Sequence, residues 1–366
     1  MAWIHEHSDW PEFRWNHEMV AVKLGSVRHR QGQLVGRMQS LGFDLQQEAG
    51  LDTLTADAVT TSAIEGERLN EADVRSSIAR RLGLDAGGLG PRNRSADGIV
   101  DVLLDATREY RQPLSGPRLC SWHAALFPTG RSGIRAITVG EWRTDATGPM
   151  QVISGPMGRE TVQFEAPAAH RLPHEMERFL SWFNEVPAID PVVHAAIAHF
   201  WFVTIHSFDD GNGRIARAIA DMALARADGS PERYYSMSSQ IESERSAYYE
   251  QLQHHQQASL DISGWIEWFI DCLGCSLERA EASLSAVLAR ARFWQAAAKY
   301  PLNDRQRAVL HRMLGDFAGH LNTSKYAKLA QCSTDTALRD IRELLQWGLV
   351  VRNPGGGRST SYSIAG

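Results

Sequence analysis

The sequence predicts a mainly α-helical protein with one β-hairpin, followed by a small C-terminal module of three helices and a two-stranded wing. Three observations carry that expectation. Apolar residues recur at helical spacing along most of the 366 residues. One stretch, GEWRTDATGPMQVISGPMGRETVQFEAP at 140–167, holds two short runs, MQVIS and TVQFE, around the glycine turn GPMGR. Finally, residues 301–366 read as LNDRQRAVLHRML, SKYAKLAQCS and STDTALRDIRELLQWG, then LVVRNPGGGRSTSYSI, the layout of a winged helix-turn-helix.

Taken in order, helices are expected at about 53–65, 70–82, 97–111, 171–185, 191–205, 213–227, 243–257 and 262–298. A Gly-rich stretch, GLDAGGLGPRNRS at 83–95, separates a helical N-terminal region from the rest of the chain. The segment VVHAAIAHFWFVTI at 192–205 is too short to span a bilayer and carries His194 and His199, so it reads as a buried helix and no membrane is expected. Trp122, Trp182, Trp201 and Trp268 sit in apolar contexts and are read as core. The opening, MAWIHEHSDWPEFRWN, has no apolar signal core, which points to the cytoplasm. Four scattered cysteines form no disulfide framework, and Cys272 and Cys275 lack a second Cys/His pair, so no structural zinc is expected. The net charge of -5 is uneven, with nine Lys/Arg against five Asp/Glu in residues 301–366.

The densest chemistry is HSFDDGNGRIAR at 206–217. A Gly-rich turn feeding a helix near Gly213 presents free backbone N–H groups and the positive end of the helix dipole, which suits a phosphate. Arg214 and Arg217, spaced i, i+3, offer two guanidinium forks for outer phosphates. Asp210 is a hard oxygen ligand for Mg²⁺, Asn212 a donor to a phosphate oxygen, and His206 a base for an attacking hydroxyl. Phe208 anchors the loop in the core. A plain helix start with solvated charges shares the same pattern. Neither GxxxxGK[ST] nor a strand-bound GxGxxG is present.

That stretch resembles the signature of Fic (filamentation induced by cAMP) domain proteins, H-P-F-x-[D/E]-G-N-G-R-x-x-R, with Ser207 in place of the proline. The resemblance implies a Fic-type helical bundle that transfers AMP from ATP to a Ser, Thr or Tyr hydroxyl of a protein. It makes His206 the general base, Asp210 the Mg²⁺ ligand, Asn212 with the Gly211 and Gly213 amides the phosphate hole, and Arg214 with Arg217 the outer-phosphate clamps. The hairpin at about 140–167 becomes a flap on which a segment of the protein substrate docks by main-chain pairing. A second stretch, TTSAIEGERLN at 60–70, is similar to the family's inhibitory pattern [S/T]-x-x-x-E-[G/N], through Thr61, Glu65 and Gly66. By that likeness Glu65 blocks Arg217, and the resting enzyme binds ATP without turnover. The aromatic opening resembles an N-terminal extension of some Fic proteins, and self-association in the family allows a homodimer.

The expected organisation is an N-terminal region at 1–95 with an inhibitory helix near 53–66, a catalytic core at 96–298, and the winged module at 301–366. In that module Arg339 and Arg342, with Arg352 and Arg358 near the wing, are the residues offered to DNA, and a winged helix serves also in protein docking or dimerisation. Two functions stay open: a self-inhibited adenylyltransferase, or a nucleotide-binding regulator that binds DNA through the winged helix. Removal of AMP, or transfer of another phosphate-containing group, would use the same residues.

Overall fold

A computed structural model describes residues 2–84, 93–146, 148–154, 161–186, 188–314, 320–354 and 360–365. The chain divides into two compact units, Met1–Glu281 and Ala282–Gly366. The regions read as 1–95 and 96–298 therefore share one unit up to Glu281. The turn GPMGR, most of the Gly-rich stretch at 83–95, and the wing turn with Arg358 lie outside the described residues.

The first unit begins with α1 (His17–Gln39), α2 (Phe43–Ile64), α3 (Glu71–Leu82), α4 (Arg94–Arg108) and α5 (Gly116–Leu126). A minimal strand pair, β1 (Arg131–Ser132) and β2 (Arg135–Ala136), precedes the hairpin of β3 (Gln151–Ser154) and β4 (Thr161–Glu165). Then come α6 (Leu172–Asn184), α7 (Pro191–Ile205), α8 (Asn212–Asp228), α9 (Met237–Ser243), α10 (Arg245–Gln256) and α11 (Ser263–Ala297), in which the unit boundary falls.

Helix α7 is the centre. Asp190 caps it by accepting from the Val192 amide at 2.8 Å, Pro191 occupies its first turn, and residues 192–205 are all buried. It packs on α6 and most extensively on α8, which also meets α1, α2, α4 and α5. Motif residues at the α7–α8 junction thus sit where the unit is most tightly packed.

Three expectations change. Helix α1 is absent from the expected set: three glycines and many charges dilute its apolar stripe, yet Val20, Val27, Leu34 and Met38 are buried at near-heptad spacing and Asn16 caps it. Helix α5 is absent from it too, although Ser115 and Pro117 are a start signal. The single helix read at 243–257 is two, because Glu244 (φ -114°, ψ 28°) leaves helical geometry between α9 and α10. Of the four tryptophans read as core, Trp122 and Trp201 are buried, whereas Trp182 and Trp268 are half-buried.

The second unit holds α12 (Asp304–Leu314), α13 (Thr323–Leu329), α14 (Thr334–Gln346) and an antiparallel pair, β5 (Val350–Arg352) and β6 (Tyr362–Ile364). Val309, Leu310, Tyr326, Ile341 and Leu344 form its core. Asp340, 2% exposed, accepts from Arg305 Nε at 3.1 Å and the Tyr326 hydroxyl at 3.2 Å. A charge on the buried face of α14 is thereby paired rather than left bare.

Candidate functional site

Helix α7 ends on His206, whose backbone is left-handed (φ 53°, ψ 56°), an uncommon state for a residue with a Cβ. Its carbonyl accepts from Arg143 Nε at 2.7 Å. Arg143, 2% exposed, also donates to the Asp145 carboxylate at 3.0 Å and to the Pro167 carbonyl, while its own amide donates to the Ser207 carbonyl at 3.0 Å. One buried guanidinium therefore joins both roots of the hairpin to the backbone of His206. No motif marks it.

The loop after His206 closes on itself. Phe208 is fully buried and lies flat on His123, with ring centroids 4.2 Å apart and planes at 4°, so its expected anchoring role holds. Asn212 has a task that the sequence does not show. Its Oδ1 accepts from the Phe208 amide at 3.0 Å and its Nδ2 donates to the Phe208 carbonyl at 2.8 Å. With both ends engaged and 2% exposure, the side chain clasps the loop and keeps a second Nδ2 hydrogen beyond these two bonds.

His123, also unread in the sequence, accepts the Gly140 amide at Nδ1 (3.1 Å). Burial pulls its imidazole down to about 4, so it stays neutral. His206 behaves alike: desolvation pulls it to about 4, the Val203 carbonyl opposes, and Arg143 pushes further down. Its Nδ1 lies 3.3 Å from the Val203 carbonyl, and donation there leaves the lone pair on Nε2. A neutral histidine with one free nitrogen suits proton acceptance. Asp210, the expected metal ligand, accepts from Ser132 Oγ on β1 and from the Gly211 amide.

Gly211 takes φ 79° to turn the chain into α8. At Gly213 a Cβ would fall 2.2 Å from Glu65 Oε1, so Glu65 lies directly over the first turn of α8. Its Oε1 accepts from Arg217 Nη2 at 2.7 Å. Arg217, 2% exposed, also donates from Nε to Thr61 Oγ1 at 2.7 Å and from Nη2 to the Thr61 carbonyl at 2.9 Å. Thr61 and Glu65, one helical turn apart at the end of α2, grip one guanidinium together. Gly66, next in the pattern, has φ 84° and lets the chain leave the helix. Arg214 is engaged by an unread residue, Glu67, at 2.9 Å, and stands 4.9 Å over the Phe127 ring.

His206, Gly213 and Glu65 line one cavity of about 640 Å³ with Val152 and Ile153 of β3 and Tyr249 of α10. The expected base, the helix start, the acid of α2 and the hairpin thus face a common space. Arg339 and Arg342 stand exposed on α14 in the other unit. Among the described residues no group of three or more His, Cys, Asp or Glu forms a metal cage, and no helix is long and apolar enough to cross a membrane.

Residues 113–224 match the Fic/DOC family, and residues 3–84 match a domain of unknown function, DUF4172. Over 222 residues the chain is 27% identical to protein adenylyltransferase Fic of Aedes aegypti, covering 59% of this chain and 39% of that protein. Over 105 residues it is 34% identical to the protein of that name in Drosophila erecta, covering 28% and 20%. The chain thus spans two fifths or less of these relatives' length. In fold it resembles a Fic family protein from Desulfovibrio desulfuricans (TM-score 0.52, 19% identity, 94% of this chain and 96% of that one). It also resembles a Fic domain containing signaling protein from Bacteroides thetaiotaomicron (TM-score 0.53, 19% identity, 69% and 95%).

Proposed function

This chain is a Fic domain protein, and from that premise we propose that it is a self-restrained adenylyltransferase that moves AMP from ATP to a hydroxyl of a protein. The observation that carries the reading is the Glu65–Arg217 pair at 2.7 Å, whose Glu65 lines the cavity that also holds His206. The names of the curated relatives, protein adenylyltransferase Fic, support the reaction class.

In this reading the acceptor segment lies along the exposed edge of β3, held by main-chain pairing. His206 Nε2 takes the proton as the acceptor oxygen attacks the α-phosphorus. The bond from that phosphorus to the bridging oxygen breaks, and pyrophosphate leaves with the electron pair. The N–H groups at the start of α8 and the guanidinium of Arg214 receive the phosphates, and Arg217 does so once Glu65 has withdrawn. Asp210 fits a Mg²⁺ ion, since one carboxylate together with phosphate oxygens and water is its usual shell. When bound, that ion would neutralise phosphate charge.

The test is transfer of label from ATP carrying a labelled α-phosphate, with Mg²⁺, to the protein itself. We expect Glu65→Gly to label about 5–150-fold faster than wild type, the range of an ordinary coupling energy. Glu65→Gly with His206→Ala should lose nearly all of that gain. Measurable ATP binding with no label in any form would sink AMP transfer.

A second reading, nucleotide-dependent DNA binding by a winged helix at 301–366, draws on Arg339 and Arg342, exposed three residues apart on α14. A gel shift that survives physiological salt and weakens with Arg339→Ala would favour it. Binding lost at that salt would count against it.

A further inference from the structure

The aromatic opening of the chain takes no part in the chemistry above, yet it is fastened to the hairpin. All four residues of β3 are exposed, and β4 has one buried residue, Phe164, at 1% exposed. That side chain anchors the hairpin together with Gln257 Nε2, which donates to the Gln163 carbonyl at 2.8 Å. Two rings meet Phe164 edge-on: Trp3 at 5.5 Å and 82°, and His5 at 5.8 Å and 85°. His5 Nε2 lies 2.8 Å from the Glu165 carbonyl, so with that nitrogen protonated it donates to the last residue of β4.

The opening is itself held in place. Arg171 donates to the His5 carbonyl at 3.3 Å and pairs with Glu175 at 2.6 Å, and Glu175 in turn accepts from Trp10 Nε1 at 2.9 Å. Farther on, the Arg14 amide donates to the Leu260 carbonyl at 2.8 Å, and the Ile262 amide donates to the Arg14 carbonyl at 2.9 Å. The segment is tied at both ends to the helical body, and its rings reach out to Phe164.

We propose that the segment from Trp3 to Phe13 is a positioning brace for the hairpin, and that Trp3 and His5 set where β3 stands relative to His206. This rests on the proposed reaction for its consequence, though not for its geometry. A two-stranded hairpin is marginal alone in water and takes its stability from what it packs against. Edge-to-face rings add a directional preference to burial, so they fix an angle as well as a contact. Phe164, Val152 and Ile153 line the cavity that holds His206, so loosening Phe164 moves the acceptor strand away from the base. The start of the match to a domain of unknown function at residues 3–84 thereby acquires a task.

The test compares full-length wild type, Trp3→Ala and Trp3→Phe by hydrogen exchange at residues 151–154 and 161–165, with α7 and α8 as internal references. In the Glu65→Gly background, labelling of a His206→Ala copy of this chain, used as the acceptor, is followed in parallel. Trp3→Ala should speed hairpin exchange by about tenfold while α7 and α8 stay protected. It should also raise the KM for the acceptor with the KM for ATP unchanged, and Trp3→Phe should restore both. Unchanged hairpin exchange in Trp3→Ala overturns the brace, as does exchange that rises equally in α7 and α8. If hairpin exchange responds while no variant labels the acceptor, the brace stands and the transfer reading fails.

Discussion

Two regions close on His206, and they are held by opposite means. On one side the end of α2 meets α8 through charged groups set around buried arginines, with the Glu65 side chain itself 28% exposed. Arg217 receives Thr61 and Glu65, and deeper along the same two helices Asp57 and Asp221, each 2% exposed, lie with Arg233. Arg233 pairs with Asp221 at 3.1 Å, Ser236 donates to Asp57, and burial with the nearby Asp221 charge pushes Asp57 up to about 8. On the other side the hairpin presents Val152, Ile153 and Val162 to solvent and, among the described residues of its strands, keeps only Phe164 inside. Buried ions tolerate little displacement, because a separated pair leaves an unsolvated charge. Edge-on rings tolerate more. The α2–α8 side of the cavity is therefore the more firmly held, with only the partly exposed Glu65 carboxylate able to leave, while the hairpin side is adjustable.

That contrast can be broken most severely at Arg143, which belongs to both regions. Arg143→Ala strands the His206 and Pro167 carbonyls and the Asp145 carboxylate, and we expect a loss of about 3–5 kcal/mol in urea unfolding. A loss under about 1 kcal/mol, the scale of an exposed pair, would mean that the two regions are independent.

The next effect in size comes from pH. Burial holds His123 and His194 near 4 and His199 near 3. Each folded value lies below its unfolded one, so the unfolded chain binds protons first and stability falls as pH drops from about 6.5 toward 4. At pH 5 the cost is about 1–2 kcal/mol per histidine. Asp57 acts in the opposite sense, since its raised folded value makes the protein lose stability as pH rises toward 8. Imidazole titrations of His123, His194 and His199, followed one by one by NMR, that turn over near 6.5 would contradict neutral burial of these rings.

Gly213→Ala probes the fixed side more gently. The new methyl group needs the space of the Glu65 carboxylate, so about 1–3 kcal/mol should be lost. Glu65→Gly in the same chain should recover most of it, and failure to recover would place the clash elsewhere. The smallest effect belongs to the adjustable side. Ile153→Ser, on a residue 56% exposed, should change stability by less than about 0.5 kcal/mol, while altering capture of a protein acceptor.

The motif loop is legible in the sequence because its chemistry is contiguous. A dozen residues carry the histidine, the glycine turn and two arginines, and local sequence is enough to place a loop before a helix. The α2 pattern is legible for a similar reason, Thr61 and Glu65 being one turn apart. What escapes is assembled across the fold. Arg143, His123 and Glu67 meet the loop from 63, 85 and 147 residues away, and nothing adjacent to them marks a partner. The clasp made by Asn212 escapes too, because an amide fits a phosphate and a carbonyl equally well, and only the closed loop shows the second. Helix α1 is hidden by its glycines, although its buried stripe is present.

The carboxylate over Gly213 can also be viewed as a ligand. Glu65 is tethered to the protein it occupies, so its local concentration is set by the geometry of α2 and does not vary with dilution. Tethers of this kind give effective concentrations in the millimolar range or above. A free anion aimed at Arg217 must outcompete that constant background, so under the proposed self-restraint the occupancy of Arg217 would follow anion concentration as a graded threshold.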